Sequence, residues 1–394
     1  MQKSQAIQII KETFESPFNK EQFVYFTKNL FNNIEDAPFI YRGNLIRDAY
    51  APYIRTFECV GKYQDLDGNK IDILIVYLKK ETSLERARTM QRNFVAWYLN
   101  GSRGGVLKDA AVVAFVSPDS QDWRFSLIKM EYNLIESKDG KTKVKQELTP
   151  ARRWSFLVGA NEKSHTAQQQ LLSILQDDWN NPLLSQLEDV FNIEVVTKEF
   201  FKEYRGLFLW TKEVLDEMVE KDERVKNDFA KKGINTVDFA KKLLGQVVFL
   251  YFLQKKGWFG VERDAGWGTG PKNFLRLLFE KETAKSKNFF NDGLELLFYE
   301  ALAVERTDDF YGKLNCKIPF LNGGLFEPIN DYDWIHTDIL LPNELFSNEI
   351  KTKEGDTGTG ILDVFDRYNF TVKEDEPLEK EVAVDPEMLG KVFE

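Results

Sequence analysis

The stretch that decides the fold is Tyr53-Ile-Arg-Thr-Phe-Glu-Cys-Val-Gly-Lys-Tyr-Gln64, followed closely by Lys70-Ile-Asp-Ile-Leu-Ile-Val-Tyr-Leu-Lys-Lys80. Both segments are rich in β-branched and aromatic residues, which favour strands. The pair Asp67-Gly68 between them is a strong hairpin signal, because a tight turn needs residues that tolerate positive φ. The sequence therefore predicts two antiparallel strands over 53–64 and 70–80.

The register of this hairpin decides which polar side chains meet. With Asp67-Gly68 at the centre of the turn, Glu58 is expected to face Tyr77, and Thr56 to face Lys79. Side chains alternate between the two faces of a strand. Glu58, Tyr77 and Lys79 should therefore share one face of the sheet, and Asp72 should lie on the other.

Patterns on both sides of the hairpin predict an α/β domain, with a mixed sheet flanked by helices. Helical spacing of apolar residues extends over 1–40. A further helix is expected from Thr82, with Glu85 completing a capping box, to about Leu99. Ala110–Val116 is a continuous apolar run, typical of a strand covered on both faces, and Arg124–Leu134 predicts another strand.

The pattern changes to helix after helix from about residue 195. A stretch over 236–256 is apolar nearly all round, which indicates a helix at the centre of a bundle, and Asn235 is its predicted N-cap. We therefore predict an α/β domain over 1–190 and a mainly helical domain over 191–394.

Composition restricts the class of protein. The chain has 394 residues, 2 cysteines and a net charge of −10, but residues 41–153 carry 20 Lys/Arg against 14 Asp/Glu. Few cysteines and no apolar leader or membrane-length run predict a cytoplasmic protein. The local basic excess could serve a surface that contacts DNA phosphates, or it could be a chance fluctuation.

The hairpin and the helix after it resemble the core of PD-(D/E)XK nucleases. In that family two strand carboxylates hold a divalent metal, and a nearby lysine orients the attacking water. The resemblance implies Glu58 and Asp72 as Mg²⁺ ligands, with Lys79 and Gln91 completing the catalytic set. Tyr77-Leu78-Lys79 stands where Glu-x-Lys is expected, and Asp72 could join only if the strand twists or its register slips. Alternatively, Glu58 and Lys79 form a cross-strand ion pair.

Gln91 is expected on the buried face of its helix, together with Leu84, Phe94, Val95 and Tyr98. It would either reach a metal site or bond to backbone as a core amide.

Arginines supply the candidate DNA contacts. They lie on the helix after the hairpin and in Thr149-Pro-Ala-Arg-Arg-Trp154, and comprise Arg86, Arg88, Arg92, Arg152 and Arg153. Guanidinium groups can grip phosphate in a bidentate manner. A solvated basic face and structural ion pairs are the alternatives.

Longer runs resemble the segment that precedes the methyltransferase domain of type IIG restriction–modification enzymes. The most specific are Ile318-Pro-Phe-Leu-Asn-Gly-Gly-Leu-Phe-Glu-Pro328, Ile361-Leu-Asp-Val-Phe-Asp-Arg-Tyr-Asn-Phe-Thr-Val372 and Asp385-Pro-Glu-Met-Leu-Gly-Lys-Val-Phe-Glu394. Similar runs are 71–76, 82–94 and 243–253.

The resemblance implies a nuclease-like domain and a helical connector, followed beyond residue 394 by a methyltransferase and a target-recognition region. The parent enzyme would act on double-stranded DNA in defence against phage. It would use S-adenosylmethionine, bound outside this region, to methylate adenine at N6, and Mg²⁺ if it cleaves. Two main hypotheses follow: a metal-dependent endonuclease domain, or a catalytically inactive nuclease-like module that binds DNA or serves as a scaffold. A third is a protein-interaction platform that recruits a separate helicase or nuclease.

Overall fold

A computed structural model describes residues 1–79, 84, 87–101, 105–131, 134–136, 142–144, 151–177, 181–321, 323–353, 355–371 and 378–384. These residues form two compact units. Unit 1 comprises residues 1–196 and 378–383, and unit 2 comprises residues 197–371 and 384. The change of unit thus falls six residues after the predicted boundary at 190/191, and a late segment of the chain returns to unit 1.

Unit 1 is built on a mixed seven-stranded sheet, in the order β1-β2-β3-β4-β5-β8-β11. Its strands are β1 (Glu35–Arg42), β2 (Ile54–Gln64), β3 (Lys70–Leu78), β4 (Ala110–Val116), β5 (Asp122–Met130), β8 (Ala151–Gly159) and β11 (Glu379–Glu381). A separate short pair consists of β6 (Leu134–Glu136) and β7 (Thr142–Val144). Strands β3 and β4 are parallel, as are β8 and β11, while the other neighbours are antiparallel.

Helices cover both faces of this sheet. They are α1 (Lys3–Phe14), α2 (Lys20–Leu30), α3 (Arg88–Leu99), α4 (His165–Gln176) and α5 (Leu184–Val190). On one face, Phe94 and Tyr98 of α3 make edge-to-face contacts with Phe57. On the other face, Phe14 and Phe26 of α1 and α2 contact Phe125. The predicted mixed sheet with flanking helices is confirmed.

The continuous helical character predicted over 1–40 is wrong at its end, because residues 35–42 form strand β1. Helix α2 ends at Leu30, and β1 pairs only with β2 at the edge of the sheet. Pro38 suits this position, since an edge strand tolerates a residue without an N–H donor. The predicted strand over 110–116 is confirmed, with residues 110–115 fully buried.

The predicted α3 is confirmed for its described part. It begins at Arg88 and ends before Gly101, which has a φ of +67°. The expected capping pair, Thr82 and Glu85, lies outside the described residues.

Unit 2 is largely helical before residue 305 and rich in loops after it. Its α-helices are α6 (Ile193–Lys221, which starts in unit 1), α7 (Glu223–Lys232), α8 (Thr236–Lys255), α9 (Phe274–Thr283) and α10 (Ile361–Phe365). Residues Phe289–Leu294 and Leu296–Leu302 are π-helical, and β9 (Phe310–Tyr311) pairs with β10 (Cys316–Lys317).

Helix α8 forms the core of unit 2, as its apolar sequence predicts. The Asn235 side chain accepts a hydrogen bond from the backbone N–H of Asp238, confirming the N-cap. Leu244 and Val247 are fully buried. In the part of the chain that the structure describes, every helix is too short or too polar to cross a membrane.

Candidate functional site

The hairpin register differs by two residues from the prediction near Glu58. Glu58 lies opposite Ile75, and Thr56 lies opposite Tyr77. One residue of the difference comes from the loop, where Asp65 accepts hydrogen bonds from the backbone N–H of Asn69 (2.7 Å) and from its side-chain amide (2.8 Å). The other comes from a bulge between Cys59 and Gly61.

The faces of the strands remain as predicted, because a shift of two residues preserves the alternation. Glu58 forms an ion pair with Lys20, at the start of α2. Asp72 accepts a hydrogen bond at 2.6 Å from the hydroxyl of Tyr98 on α3. The two carboxylates that the nuclease resemblance assigns to one metal therefore lie on opposite faces of the sheet.

Asp72 belongs to a buried polar cluster on the α3 face. Its Oδ2 lies 3.3 Å from Lys108 Nζ and accepts from the Cys59 thiol at 3.9 Å. Burial, reinforced by the charge of Asp72, raises the pKa values of the Tyr98 phenol and the Cys59 thiol. This cluster supplies the buried carboxyl group of Asp72 with polar partners within the core.

The residues do not fit a magnesium ion shared by Glu58 and Asp72. Such an ion needs oxygen ligands that converge at about 2.1 Å from it, which carboxylates on opposite faces cannot provide. Among the described residues, no group of three or more His, Cys, Asp or Glu side chains is placed to bind a metal. We therefore assign no metal-dependent step to these residues.

Lys79 follows β3 and is half-buried, and its backbone N–H donates to the carbonyl of Tyr53 at 2.9 Å. The cross-strand ion pair expected between Glu58 and Lys79 is replaced by the pair between Glu58 and Lys20. Gln91 is fully buried on α3, as its position on the apolar stripe predicts.

The predicted DNA-contacting arginines do not form one surface. Arg88 and Arg92 make ion pairs with Glu381 and Glu379, and their side chains are only 15% and 9% exposed. Arg152 and Arg153 are neighbours on β8 and so point to opposite faces. Arg152 is half-exposed and paired with Glu131, whereas Arg153 is buried. Arg86 lies outside the described residues.

A pocket of about 320 Å³ lies beside Glu58, on the α1 and α2 face of the sheet. Its lining residues are Phe18, Lys20, Arg55, Tyr77, Val116 and Pro118. It opens where the parallel strands β3 and β4 end. The carboxyl ends of parallel strands are the usual place for ligands in α/β sheets, because the connecting segments diverge there.

The pocket combines positive charge with aromatic surface. The Arg55 guanidinium lies 5.7 Å from the ring centroid of Tyr77, whose ring makes an edge contact with Phe18 at 6.3 Å. Burial, with a smaller contribution from Glu58, raises the pKa of Tyr77, so its phenol is neutral at physiological pH. Lys20 and Arg55 therefore outweigh the single charge of Glu58. Cations beside aromatic rings suit a phosphate group and an adjoining base.

Sequence reasoning missed Phe18, Lys20 and Arg55. The local signal was Asn19, whose side chain accepts from the backbone N–H of Gln22 and so fixes the start of α2 next to Lys20. The contact of Lys20 with Glu58 spans 38 positions, which no local pattern could predict.

Comparisons with known proteins leave the chain without an assigned relative. Neither the family models, nor the curated proteins, nor the solved structures gave a match.

Proposed function

We propose that unit 1 is a nuclease-like DNA-binding module of a bacterial DNA restriction–modification enzyme. Unit 2 would be the connector to an S-adenosylmethionine-dependent N6-adenine methyltransferase. The sequence runs that resemble type IIG enzymes support this proposal. The order of β2, β3, α3 and β4 agrees with the nuclease-like core that those runs imply.

The observation that carries the DNA-binding role is the pocket at the ends of β3 and β4. Two cationic side chains, Lys20 and Arg55, stand there beside Tyr77 and Phe18. Phosphate contacts need local positive charge, which a protein of net charge −10 can still present at one place. The described acidic residue that pairs with this pocket, Glu58, neutralises only one of the two cations.

A binding role agrees better with this geometry than metal-dependent cleavage does. The Glu58 carboxylate is held by Lys20, and Asp72 is held on the other face by Tyr98. Both carboxylates thus have structural partners, which favours the inactive nuclease-like module among the two hypotheses.

Fluorescence anisotropy of a labelled DNA duplex, titrated with the protein at several salt concentrations, tests the proposal. Arg55→Gln should weaken binding several-fold and lower the slope of log K against log salt by about 1, because one phosphate contact is lost. Arg224→Gln, which removes an exposed charge from α7 of unit 2, is the matched control and should leave both unchanged.

Equal binding by wild type and Arg55→Gln would reject the pocket as the DNA contact. Mg²⁺- or Mn²⁺-dependent cleavage that disappears in both Glu58→Ala and Lys79→Ala would instead establish the endonuclease hypothesis.

A further inference from the structure

The interior of unit 1 holds a second cluster of charged residues, on the α3 face of the sheet. Four arginines from α3, β5 and β8 meet two glutamates from β11. The members of this arginine cluster are Arg88, Arg92, Arg124, Arg153, Glu379 and Glu381. Within the described residues it contains more positive than negative charge.

The two glutamates are committed to three of the arginines. Glu381 pairs with Arg88 and, at 3.2 Å, with Arg124. The Glu379 carboxylate lies 3.3 Å from Arg92. Arg153 makes no ion pair with a carboxylate among the residues that the structure describes. The nearby Glu379 and Glu381 offset its charge only in part, because burial and the other arginines outweigh them.

The Arg153 side chain is nevertheless held firmly, with only 2% of the residue exposed. Its Nε donates to the Ser126 hydroxyl at 3.2 Å, and its Nη1 donates to the carbonyl of Arg88 at 3.3 Å. The guanidinium lies 4.5 Å from the ring centroid of Phe115. Nη2 is buried and has no hydrogen-bond partner among the described residues.

Burying this guanidinium is costly. Burial first, and then repulsion by Arg124, lower the pKa of Arg153 well below its usual value. An unpaired charge in a protein interior is strongly destabilising unless an anion compensates it.

The start of α3 shows the same deficit of partners. Gln91 is fully buried, and in the part of the chain that the structure describes neither its Nε2 nor its Oε1 has a hydrogen-bond partner. It lies one helical turn from Arg88, whose carbonyl binds Arg153. Ala87 precedes the helix and has no side chain that could cap it, and the first turn contains no acid. The first N–H groups of a helix attract anions.

We propose that a small phosphate-type oxyanion binds inside unit 1, between the Arg153 guanidinium, the Gln91 amide and the start of α3. Such an ion compensates the charge of Arg153 and accepts from its free Nη2 and from Gln91 Nε2. A protonated phosphate also donates its O–H to Gln91 Oε1, which sulfate cannot do. The site is separate from the pocket of the proposed function, since it lies on the other face of the sheet.

Equilibrium dialysis of the whole chain against radiolabelled inorganic phosphate, in a chloride buffer, tests this site. We expect one phosphate per chain, bound more tightly than sulfate in competition. Arg153→Met and Gln91→Leu should each reduce the affinity about tenfold or more, because each removes a hydrogen bond to a charged group. Arg152→Met is the matched control: it alters the neighbouring arginine on the opposite face and should bind phosphate like the wild type.

Circular dichroism checks that each variant folds. If Arg153→Met does not fold, Gln91→Leu alone carries the test, with the same expected loss. The proposal is overturned if the wild type binds no phosphate, if the variants bind it equally well, or if sulfate competes as strongly as phosphate. A DNA oligonucleotide should not displace the ion, because the Arg153 and Gln91 side chains are buried. Displacement would assign the anion to a DNA phosphate instead.

Discussion

The two faces of the unit 1 sheet carry similar charged residues in opposite settings. On the α1 and α2 face, Lys20 is half-exposed and pairs with Glu58 beside an open pocket. On the α3 face, Arg124 pairs with Glu381, and both side chains are at most 5% exposed. The same kind of ion pair is therefore a surface contact on one face and part of the core on the other.

The difference shows how alternation along a strand separates function from stability. Glu58 and Phe57 are neighbours on β2, yet Phe57 is buried against α3 while Glu58 reaches Lys20. Residues that are neighbours in the sequence are therefore divided between the open pocket on one face and the buried ion pairs on the other. We expect changes on the α3 face to affect mainly stability, and changes on the other face to affect mainly binding.

The largest effect is expected from Glu381→Gln. It removes the carboxylate that pairs with Arg88 and Arg124, and the loss of one partner from a buried pair costs about 3–5 kcal/mol. Urea unfolding followed by circular dichroism measures this cost. Glu131→Gln is the control, because its partner Arg152 is half-exposed, and it should cost less than about 1 kcal/mol. Equal losses of unfolding free energy in Glu381→Gln and Glu131→Gln would contradict the proposed difference between the two faces.

Tyr98→Phe should come next. The hydroxyl of Tyr98 donates to the buried carboxylate of Asp72, and a hydrogen bond to a charged group contributes about 1.5–3 kcal/mol. The free energy of unfolding should fall by that amount. Tyr25→Phe, at a residue that is 59% exposed, should change it by less than about 0.5 kcal/mol. If Tyr98→Phe leaves the free energy of unfolding unchanged, the burial of Asp72 does not depend on this hydrogen bond.

Alkaline pH should also destabilise the α3 face. Folding raises the pKa values of Cys59 and Tyr98 above their ordinary values of 9.0 and 10.0. The contribution of these two groups to the free energy of unfolding is complete below pH 9. It is lost as the pH rises toward their pKa values in the folded protein, because in that range only the unfolded chain releases these protons. We expect a loss of about 1–2 kcal/mol between pH 8 and pH 10. The Cys59→Ser variant should show a shallower slope in urea unfolding at the same pH values, and an unchanged slope would contradict this assignment.

The smallest effect is expected from Lys20→Gln. Lys20 and Lys28 are similarly exposed, at 48% and 47%, but the partner of Lys20 is 12% exposed and that of Lys28 is 67% exposed. Lys20→Gln should cost up to about 1 kcal/mol, and Lys28→Gln only a few tenths. Thermal unfolding of both variants measures the difference. A larger cost for Lys28→Gln would mean that partner burial does not set the strength of these pairs.

Local patterns predicted the elements that depend on local periodicity. The apolar run of β4, the buried face of α3 with Gln91, and the Asn235 cap of α8 all follow from residues within a few positions of each other. These features depend on burial and capping, which can be predicted from the residue pattern of a short segment.

The remaining features depend on contacts between distant parts of the chain. The Arg88–Glu381 ion pair spans 293 positions. Strand β11 belongs to the sheet through its parallel pairing with β8, which is distant in the sequence. The hairpin register was missed for two reasons: Asp65 stabilises a wider loop than Asp67-Gly68 alone predicts, and a bulge lies between Cys59 and Gly61. Strand β1 was missed because its edge position exposes most of its side chains, which leaves little alternation to detect.

The separation of Glu58 from Asp72 is tested most directly by asking whether the two carboxylates hold one metal ion between them. Electron paramagnetic resonance of Mn²⁺, titrated into the wild type, Glu58→Gln and Asp72→Asn, measures this. Because the two carboxylates lie on opposite faces, we predict that no single Mn²⁺ site depends on both of them. A site that disappears in Glu58→Gln should therefore not also disappear in Asp72→Asn. One Mn²⁺ site in the wild type that disappears in each variant would contradict the separation of the two faces, on which the proposed binding role depends.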